Sequence, residues 1–261
     1  QMPFLPIFDN YPRILLRYPW VTWGVIVTCV LVFLQQVGGG RGRYEEIIYG
    51  FGFIPAVFGG AAELPPQLYE IPSALTLVTS MFMHGGWGHL LGNMLYLWIF
   101  GDNIEDSMGH GRFIIFYLIC GLVATLAHFV ALPDSTIPTI GASGAISGVL
   151  GAYLVLHPRA KILVPIIIIP LFLPAYLLLA GWIAFQVFSA SLGQGDAGGV
   201  AWWAHIGGFV AGMILVVPFR YKTVPLFGGE TPPKGLVIKR PPPSETGSPR
   251  SKKRSRRRPW G

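Results

Sequence analysis

Charged residues are scarce in this chain of 261 residues. Only 12% of the residues are Asp, Glu, Lys or Arg, whereas 52% are apolar, and a soluble domain of this length usually carries about twice that charge. The apolar residues also form blocks long enough to cross a bilayer, which a soluble core does not need. The composition therefore excludes an ordinary soluble domain and predicts an integral membrane protein.

Cysteine is nearly absent, and no removable signal segment is evident. The two cysteines, Cys29 and Cys120, stand in different apolar segments, which excludes a disulfide framework and predicts two packing residues. The first apolar block follows Pro3, Pro6 and Pro12 and has no small-residue cleavage site behind it. The first apolar block is therefore expected to stay in the bilayer.

Acidic residues are missing from the end of the chain, residues 249–261. This tail carries the whole net charge of +7 on seven basic residues, Arg250, Lys252, Lys253, Arg254, Arg256, Arg257 and Arg258. No aromatic residues alternate with these charges and no nucleic-acid-binding fold surrounds them, so nucleic acid is not an expected partner. Contact with anionic lipid headgroups fits such a tail beside a membrane domain.

Six apolar segments predict the architecture. In a bilayer each should be a helix, because every backbone polar group needs an internal partner. The predicted fold class is all-α, a polytopic bundle of six transmembrane helices with an N-terminal cytosolic segment at 1–19, a membrane domain at 20–222 and a disordered tail at 223–261. The helices are predicted at about 20–37, 81–101, 112–131, 142–156, 174–191 and 201–219.

Two connections between the predicted helices are expected to be irregular. Residues 38–80 are apolar but broken by glycine and proline, which favours a loop lying partly in the membrane interface over a seventh span. Residues 162–174 contain Pro165, Pro170 and Pro174, and proline breaks helix interiors. The fifth helix is therefore predicted to start at Pro174 and, after this interrupted approach, to be the most mobile of the six.

The basic residues in the short loops predict the orientation. Placing the N-terminus in the cytosol puts Arg159, Lys161, Arg220 and Lys222 on the same side as the N-terminal arginines, whereas the loops 132–141 and 192–200 have no Lys or Arg. Cytoplasmic loops carry such an excess. Both termini are therefore expected in the cytosol.

Polar residues at membrane depth are costly, so those present are candidates for function. His84, His89 and Asn93 stand at the start of the second segment, and His89 and Asn93 share one helical face because they are four residues apart. Ser143 opens the fourth segment in Gly-Ala-Ser-Gly, and His205 opens the sixth in Ala-His-Ile-Gly-Gly. In the expected topology all of these residues converge at the outer ends of their helices.

The fourth segment is short for a bilayer. Residues 141–156 would reach about 24 Å at 1.5 Å per residue, against a hydrocarbon core of about 30 Å. If its inner end lies at the headgroups, Ser143 lies below the outer surface, at the bottom of a water-filled cavity. The free N–H groups of a helix start there could stabilise an oxyanion.

Small residues allow two of the helices to approach closely. Gly144, Gly148 and Ala152 line one face of the fourth segment, and Ala204, Gly208 and Gly212 line one face of the sixth. Such faces let backbones pack tightly in lipid. They would bring the Ser143 hydroxyl to the His205 imidazole, the minimum equipment for nucleophilic acyl transfer.

The ordered set HxxxxHxxxN, GxSG and AHxxG resembles the rhomboid family of intramembrane serine proteases, in its bacterial six-helix form. The resemblance covers about residues 75–219 and includes Trp182 and Gln186. It implies that Ser143 is the nucleophile and His205 the general base, and that His89, Asn93 and the Ser143 N–H stabilise the oxyanion. Residues with an implied supporting role are His84, Gly141 and Gly144.

The resemblance has further implications. It implies cleavage of single-span transmembrane substrates and residence in a bacterial inner membrane, and it suggests a structural pair of Glu105 and Arg112. Many members place an aromatic residue four positions after the nucleophile, where Ser147 stands here, so that His205 could be oriented by Trp202, Trp203 or the Ser147 hydroxyl. Some members carry a Trp-Arg pair where this chain has Leu75-Thr76.

The sequence does not fit the patterns of a zinc protease or of a soluble serine hydrolase. The zincin pattern needs a Glu directly after its first histidine, whereas Gly85 and Leu90 follow the histidines here, so no metal or other cofactor is expected. Ala145 replaces the last glycine of the G-x-S-x-G elbow. Asp134 and Asp196 lie in loops, which leaves a Ser–His dyad without an acidic third member. The remaining alternative is a non-proteolytic rhomboid-like protein that binds transmembrane clients.

Overall fold

A computed structural model describes residues 6–166, 169–193 and 199–228. Within these ranges helices predominate, as predicted. Of the predicted disordered tail, 223–261, residues 229–261 lie outside the described residues, whereas the N–H groups of Phe227 and Gly228 donate to the carbonyls of Val155 and Leu156, so the predicted start of the tail at 223 was wrong. The α-helices are α1 Trp20–Gly38, α2 Gly40–Phe51, α3 Pro55–Phe58, α4 Ser73–Thr79, α5 Trp87–Tyr96, α6 Asp102–Met108, α7 His110–Ala131, α8 Ser143–Leu156, α9 Ala175–Ser191 and α10 Trp202–Phe219. The strands are β1 Phe8–Asp9, β2 Lys161–Ile166 and β3 Ile169–Pro174.

Five of the six predicted helices agree with the structure to within two residues at each end: α1, α7, α8, α9 and α10. The second, predicted at 81–101, was wrong at both ends. A 3-10 turn at Ser80–Phe82 is followed by extended backbone at Gly86 (φ 157°, ψ 170°), so α5 starts only at Trp87. At the other end a π-helical turn, Leu97–Gly101, continues the helix into α6.

Length and composition separate the helices into two groups. Among the described residues α1, α7 and α10 are each long and apolar enough to cross a membrane, whereas α8 and α9 are shorter apolar helices of 14 and 17 residues. The chain is a multi-pass membrane protein. Its short helix α8 lies in the centre of the bundle, where Leu150, Ala152 and Tyr153 are fully buried.

The connection between α1 and α5 was predicted as a broken loop and contains three short helices, α2, α3 and α4. It is held to the rest of the chain near Phe53, whose N–H donates to the carbonyl of Thr139 at 3.2 Å and whose carbonyl accepts from the Thr139 N–H at 2.7 Å. Phe53 and Phe58 also pack on Phe129 of α7. The connection therefore supports the segment that leads into α8.

The prolines of residues 162–174 do prevent a helix, but the segment forms a hairpin rather than irregular chain. β2 and β3 pair antiparallel with Pro165 opposite Pro170, and β1 pairs with β2 through Phe8 opposite Leu163. β-branched residues favour a strand, and proline opposite proline leaves no ladder donor unpaired at that position. This small sheet is the one departure from an all-helical fold in the described part of the chain.

Helices α8 and α10 approach each other at their glycines, as predicted. A Cβ added to Gly208 would lie 3.0 Å from the carbonyl carbon of Gly144, and one added to Gly212 would lie 2.6 Å from the Cα of Gly148. Both distances are too short for real side chains, so only glycine fits. The contact fixes the start of α8 against the start of α10.

The N-terminal segment packs against the end of the bundle that lies opposite Ser143, where α6 begins and α8 ends. The carboxylate of Asp106 accepts hydrogen bonds from the N–H groups of Ile14, Leu15 and Leu16. Asp9 accepts hydrogen bonds from Asn103 Nδ2 and from the Tyr153 hydroxyl, each at 2.6 Å. Burial raises the pKa of Asp9 from 3.8 to about 7.

The predicted pair of Glu105 and Arg112 was wrong. Glu105 is buried and accepts hydrogen bonds from the N–H groups of Val21 and Thr22, the first turn of α1, and it also pairs with His110. Arg112 instead donates to the carbonyl of Phe219 at the end of α10. A carboxylate satisfied at a helix N-terminus has no need of the arginine.

Candidate active site

Ser143 is the first residue of α8, at the point where the chain enters the bundle. The preceding Gly141 has φ +125°, which side-chain-bearing residues rarely adopt, and its N–H donates to the carbonyl of Ser80 at 2.9 Å. A Cβ at Gly141 would also lie 2.8 Å from the Nε2 of His89. Gly141 is thus required both for the turn and for the space beside the candidate oxyanion donors.

His205 lies in the first turn of α10, opposite Ser143. Its Nε2 is 2.9 Å from the Ser143 Oγ, a hydrogen bond between the two residues. His205 is only 7% exposed. The close contact of α8 with α10, through Gly144 and Gly208, sets this distance, so the two predicted residues meet for the reason that the small-residue faces suggested.

The other ring nitrogen of His205 is also bonded. Its Nδ1 is 2.8 Å from the Oε1 of Gln186, a buried residue of α9. The ring packs beside Trp182 at 5.9 Å and edge-to-face beside Trp202 at 6.5 Å, between ring centroids. Gln186 and the two tryptophans therefore surround the imidazole.

Of the three residues predicted to orient His205, only Trp202 contacts it. The Ser147 hydroxyl donates to the carbonyl of Ser143, at 2.6 Å, and Trp203 is exposed, so these two suggestions were wrong. A serine one turn into a helix bonds readily to the carbonyl four residues before it. The hydroxyl is thereby turned away from the imidazole.

Two side chains of α5, His89 and Asn93, offer hydrogen-bond donors near Ser143. The Nδ1 of His89 accepts from the Gly85 N–H at 3.3 Å, so the ring proton belongs on Nε2, which faces Gly141. Asn93 is buried, and within the part of the chain that the structure describes its Nδ2 has no hydrogen-bond partner. An unpaired buried amide is costly, which is consistent with a group reserved for a ligand.

His84 precedes α5 rather than lying in its first turn. Its N–H donates to the Oε1 of Gln36 at 3.1 Å, and its carbonyl accepts from Gln36 and Tyr44, each at 3.3 Å. Its ring packs edge-to-face on His89 at 5.2 Å. The predicted supporting position of His84 thus corresponds to a contact with the His89 ring.

A cavity of about 750 Å³ opens at these residues. Its lining includes all of the central predicted site residues: His89, Asn93, Gly141, Ser143, Gly144 and His205. Thr125 and His128 of α7 also line it. Thr125 and His128 are three residues apart and so share one helical face with Gly121, and two polar residues at this spacing in an apolar segment could have identified this face of α7 from the sequence.

Sequence reasoning placed Gln186 within the motif set but gave it no role. A buried glutamine in an apolar helix is as conspicuous as the histidines, and its partner could have been sought among them. The described residues contain no group of three or more His, Cys, Asp or Glu side chains that could hold a metal ion. The site is therefore a serine, a histidine, an amide acceptor and two donors around a cavity.

Comparisons with known proteins match most of the membrane domain. The sequence model of the Rhomboid domain matches residues 72–222. The chain is 35% identical over 130 residues to "Rhomboid protease GluP" of Bacillus subtilis, a match that covers 50% of this chain and 23% of that protein. It is 32% identical over 154 residues to "Rhomboid protein 1, mitochondrial" of Saccharomyces cerevisiae, covering 55% and 41%.

A third relative extends the range of organisms. The chain is 29% identical over 145 residues to the "Presenilin-associated rhomboid-like protein, mitochondrial" of Bos taurus, covering 52% of this chain and 36% of that protein. In each of these three relatives the matched region is less than half of the relative's length. The residues matched by the Rhomboid domain model, 72–222, contain all of the site residues described above.

Proposed function

The chain belongs to the rhomboid family, and on that premise we propose that it is an intramembrane serine endopeptidase that uses Ser143 and His205 as a catalytic dyad. The hydrogen bond of 2.9 Å between Ser143 Oγ and His205 Nε2 carries the proposal. A partly buried serine that bonds to a buried imidazole inside a membrane bundle has the arrangement of an activated nucleophile. The family includes serine proteases of this kind.

The first half of the reaction forms an acyl-enzyme. Ser143 Oγ attacks the carbonyl carbon of the scissile peptide while its proton passes to His205 Nε2. The new oxyanion lies within reach of donors at the cavity wall, the Asn93 Nδ2, the His89 Nε2–H and the Ser143 N–H. His205 then gives its proton to the leaving amine nitrogen as the C–N bond breaks.

The second half of the reaction hydrolyses the acyl-enzyme and regenerates the free enzyme. Water from the cavity loses a proton to His205 Nε2 and attacks the acyl carbon, and the second tetrahedral intermediate uses the same donors. As the ester bond breaks, His205 returns the proton to Ser143 Oγ, and the new carboxylate leaves. A cavity of about 750 Å³ has room for both the substrate backbone and this water.

The proposed substrates are single-span membrane proteins that are cut near the outer end of the span, after a small residue. An intact helix in lipid hides each carbonyl in its own hydrogen bonds, and an opened polar group costs several kcal/mol unless it finds a new partner. Segments weakened by Gly or Pro therefore unwind more easily into the cavity. Both termini in the cytosol, a bacterial inner membrane and contact of the basic tail with anionic lipid belong to the same proposal.

The test is cleavage of a labelled single-span substrate in proteoliposomes by the whole chain and its variants. Ser143→Ala and His205→Ala should each abolish cleavage, and the double variant should match either one, because losses within one catalytic unit do not add. A serine-directed fluorophosphonate should label the unsubstituted protein but not Ser143→Ala. Binding of substrate without cleavage or labelling would instead favour the non-proteolytic client-binding alternative.

A further inference from the structure

Gln186 is a buried polar side chain that adjoins the dyad. It is 2% exposed, and its Oε1 lies 2.8 Å from the Nδ1 of His205. Unlike Ser143 on α8 and His205 on α10, Gln186 belongs to α9. The three groups form one chain of hydrogen bonds across three helices: amide oxygen, imidazole, hydroxyl.

The direction of this chain decides whether His205 can act as a base. A neutral imidazole carries one proton, and Nε2 can accept the Ser143 proton only if the ring proton is on Nδ1. Amide oxygens accept hydrogen bonds and do not donate them. A Gln186 Oε1 facing Nδ1 therefore stabilises the tautomer that the reaction needs.

The other groups around the ring cannot replace this acceptor. Trp182 and Trp202 pack on the imidazole, but an indole N–H is a donor only. The Ser147 hydroxyl is bonded to the carbonyl of Ser143. Among the described residues, the hydrogen bond that His205 Nδ1 donates to Gln186 Oε1 is the one contact that selects between the two tautomers.

We propose that Gln186 is the positioning residue of the dyad: it holds the proton of His205 on Nδ1 and orients Nε2 toward Ser143. The catalytic consequence rests on the proposed function, whereas the tautomer does not. In this respect an uncharged amide takes the place that a carboxylate holds in triads of soluble serine proteases. An amide avoids the cost of a third, negatively charged group at membrane depth.

The position of Gln186 on α9 makes the dyad depend on that helix. α9 is buried along one stripe that includes Leu178, Trp182, Gln186 and Ser189, whereas Leu177 and Phe188 on its other side are exposed. A bond of 2.8 Å is lost beyond about 3.5 Å, so a shift of α9 by about 1 Å away from α10 is enough to release Nδ1. His205 therefore keeps the tautomer of a general base only while α9 is packed against α10.

The direct test is nitrogen NMR of the whole chain with labelled histidine, which reports which ring nitrogen carries the proton. His205 is one of six histidines, and its signals are identified by their loss in His205→Phe. We expect protonated Nδ1 in the unsubstituted protein and a shift toward protonated Nε2 in Gln186→Leu. An unsubstituted protein with the proton on Nε2 would overturn the proposal, whatever the variants do.

Kinetics supply the second readout. Gln186→Leu should lower kcat by about 10- to 100-fold with little change in KM, as expected for one lost buried hydrogen bond. Gln186→Glu keeps an acceptor of the same reach and should recover most of this loss. The matched control is Ser189→Ala, a buried polar residue one turn along the same stripe, which should keep kcat within about 2-fold.

The two proposals fail in different ways. A protein that cleaves nothing but shows the tautomer shift in Gln186→Leu refutes the protease and supports the role of Gln186. Cleavage that depends on Ser143, together with an unchanged tautomer and kcat in Gln186→Leu, refutes the role of Gln186 and leaves the protease standing. An equal loss of kcat in Ser189→Ala also counts against it, because the effect would then be general loosening of α9.

Discussion

The contact of α8 with α10 offers a sharp test of how the fold sets the chemistry. Gly208 lies three residues after His205, and Gly144 directly follows Ser143. A Cβ at Gly208 would lie 3.0 Å from the carbonyl carbon of Gly144 and closer still to its oxygen. In Gly208→Ala the two helices must therefore separate by about 1 Å at this level, since interiors are close-packed and cannot absorb the methyl group.

This separation acts directly on the dyad. If it is passed on fully, the Ser143 Oγ to His205 Nε2 distance of 2.9 Å becomes nearly 4 Å, beyond hydrogen-bond reach. A misplacement of about 1 Å can cost about 100-fold in rate, so we expect kcat to fall by about 100-fold. Overpacking should also lower the free energy of unfolding by about 1–3 kcal/mol.

The assay is cleavage of a transmembrane substrate in proteoliposomes, with thermal unfolding in detergent to show that the variants are folded. Two controls bracket the effect. Gly181→Ala on α9 adds a Cβ with no atom within 4 Å, whereas Gly207→Ala overpacks against Ala127 of α7 rather than against α8. A folded Gly208→Ala protein with the turnover of the unsubstituted one, or a Gly207→Ala protein that loses as much, would refute the reasoning.

Three further outcomes are expected. Asn93→Ala should lower turnover by about 10- to 1000-fold, as for one oxyanion donor, while a fluorophosphonate still labels Ser143; unchanged turnover would mean that Asn93 only packs. Chelators should leave cleavage unchanged, and loss reversed by zinc would contradict this. The pKa of Asp9 is raised from 3.8 to about 7, so between these two pH values the folded state holds a proton that the unfolded state releases. The contribution of Asp9 to the free energy of unfolding therefore falls as the pH rises from 3.8 to about 7. Asp9→Asn should remove this part of the pH dependence of thermal unfolding, and a slope equal to that of the unsubstituted protein would exclude Asp9 as its source.

The sequence was sufficient for five of the six predicted helices and for the pairing of Ser143 with His205. Both follow from strong, local rules: long apolar runs must be helical in lipid, and glycines at a spacing of four let two helices touch. The start of the second helix was missed because the apolar pattern runs on past Gly86, where the backbone is extended. Hydropathy does not register such an interruption.

The partners of the buried polar residues could not be read from the sequence. Glu105 bonds to α1 and His110 rather than to Arg112, and Gln186 rather than Ser147 bonds to His205. Which partner a buried polar residue finds depends on the rotation of its helix about the helix axis. Because these helices are apolar on nearly all sides, the sequence does not determine that rotation. The hairpin was missed for a related reason, since a short apolar run bounded by prolines fits a strand and an irregular segment equally well.

The enclosure of α8 has a consequence for how the protein meets different membranes. None of the 14 residues of this helix is exposed and 11 are buried, so its neighbours enclose it almost completely. A helix of about 21 Å facing lipid would tilt or thin the bilayer to match its thickness. Because α8 is shielded, its depth is set by the helices around it, and the height of Ser143 within the bundle should stay constant when the thickness of the lipid changes.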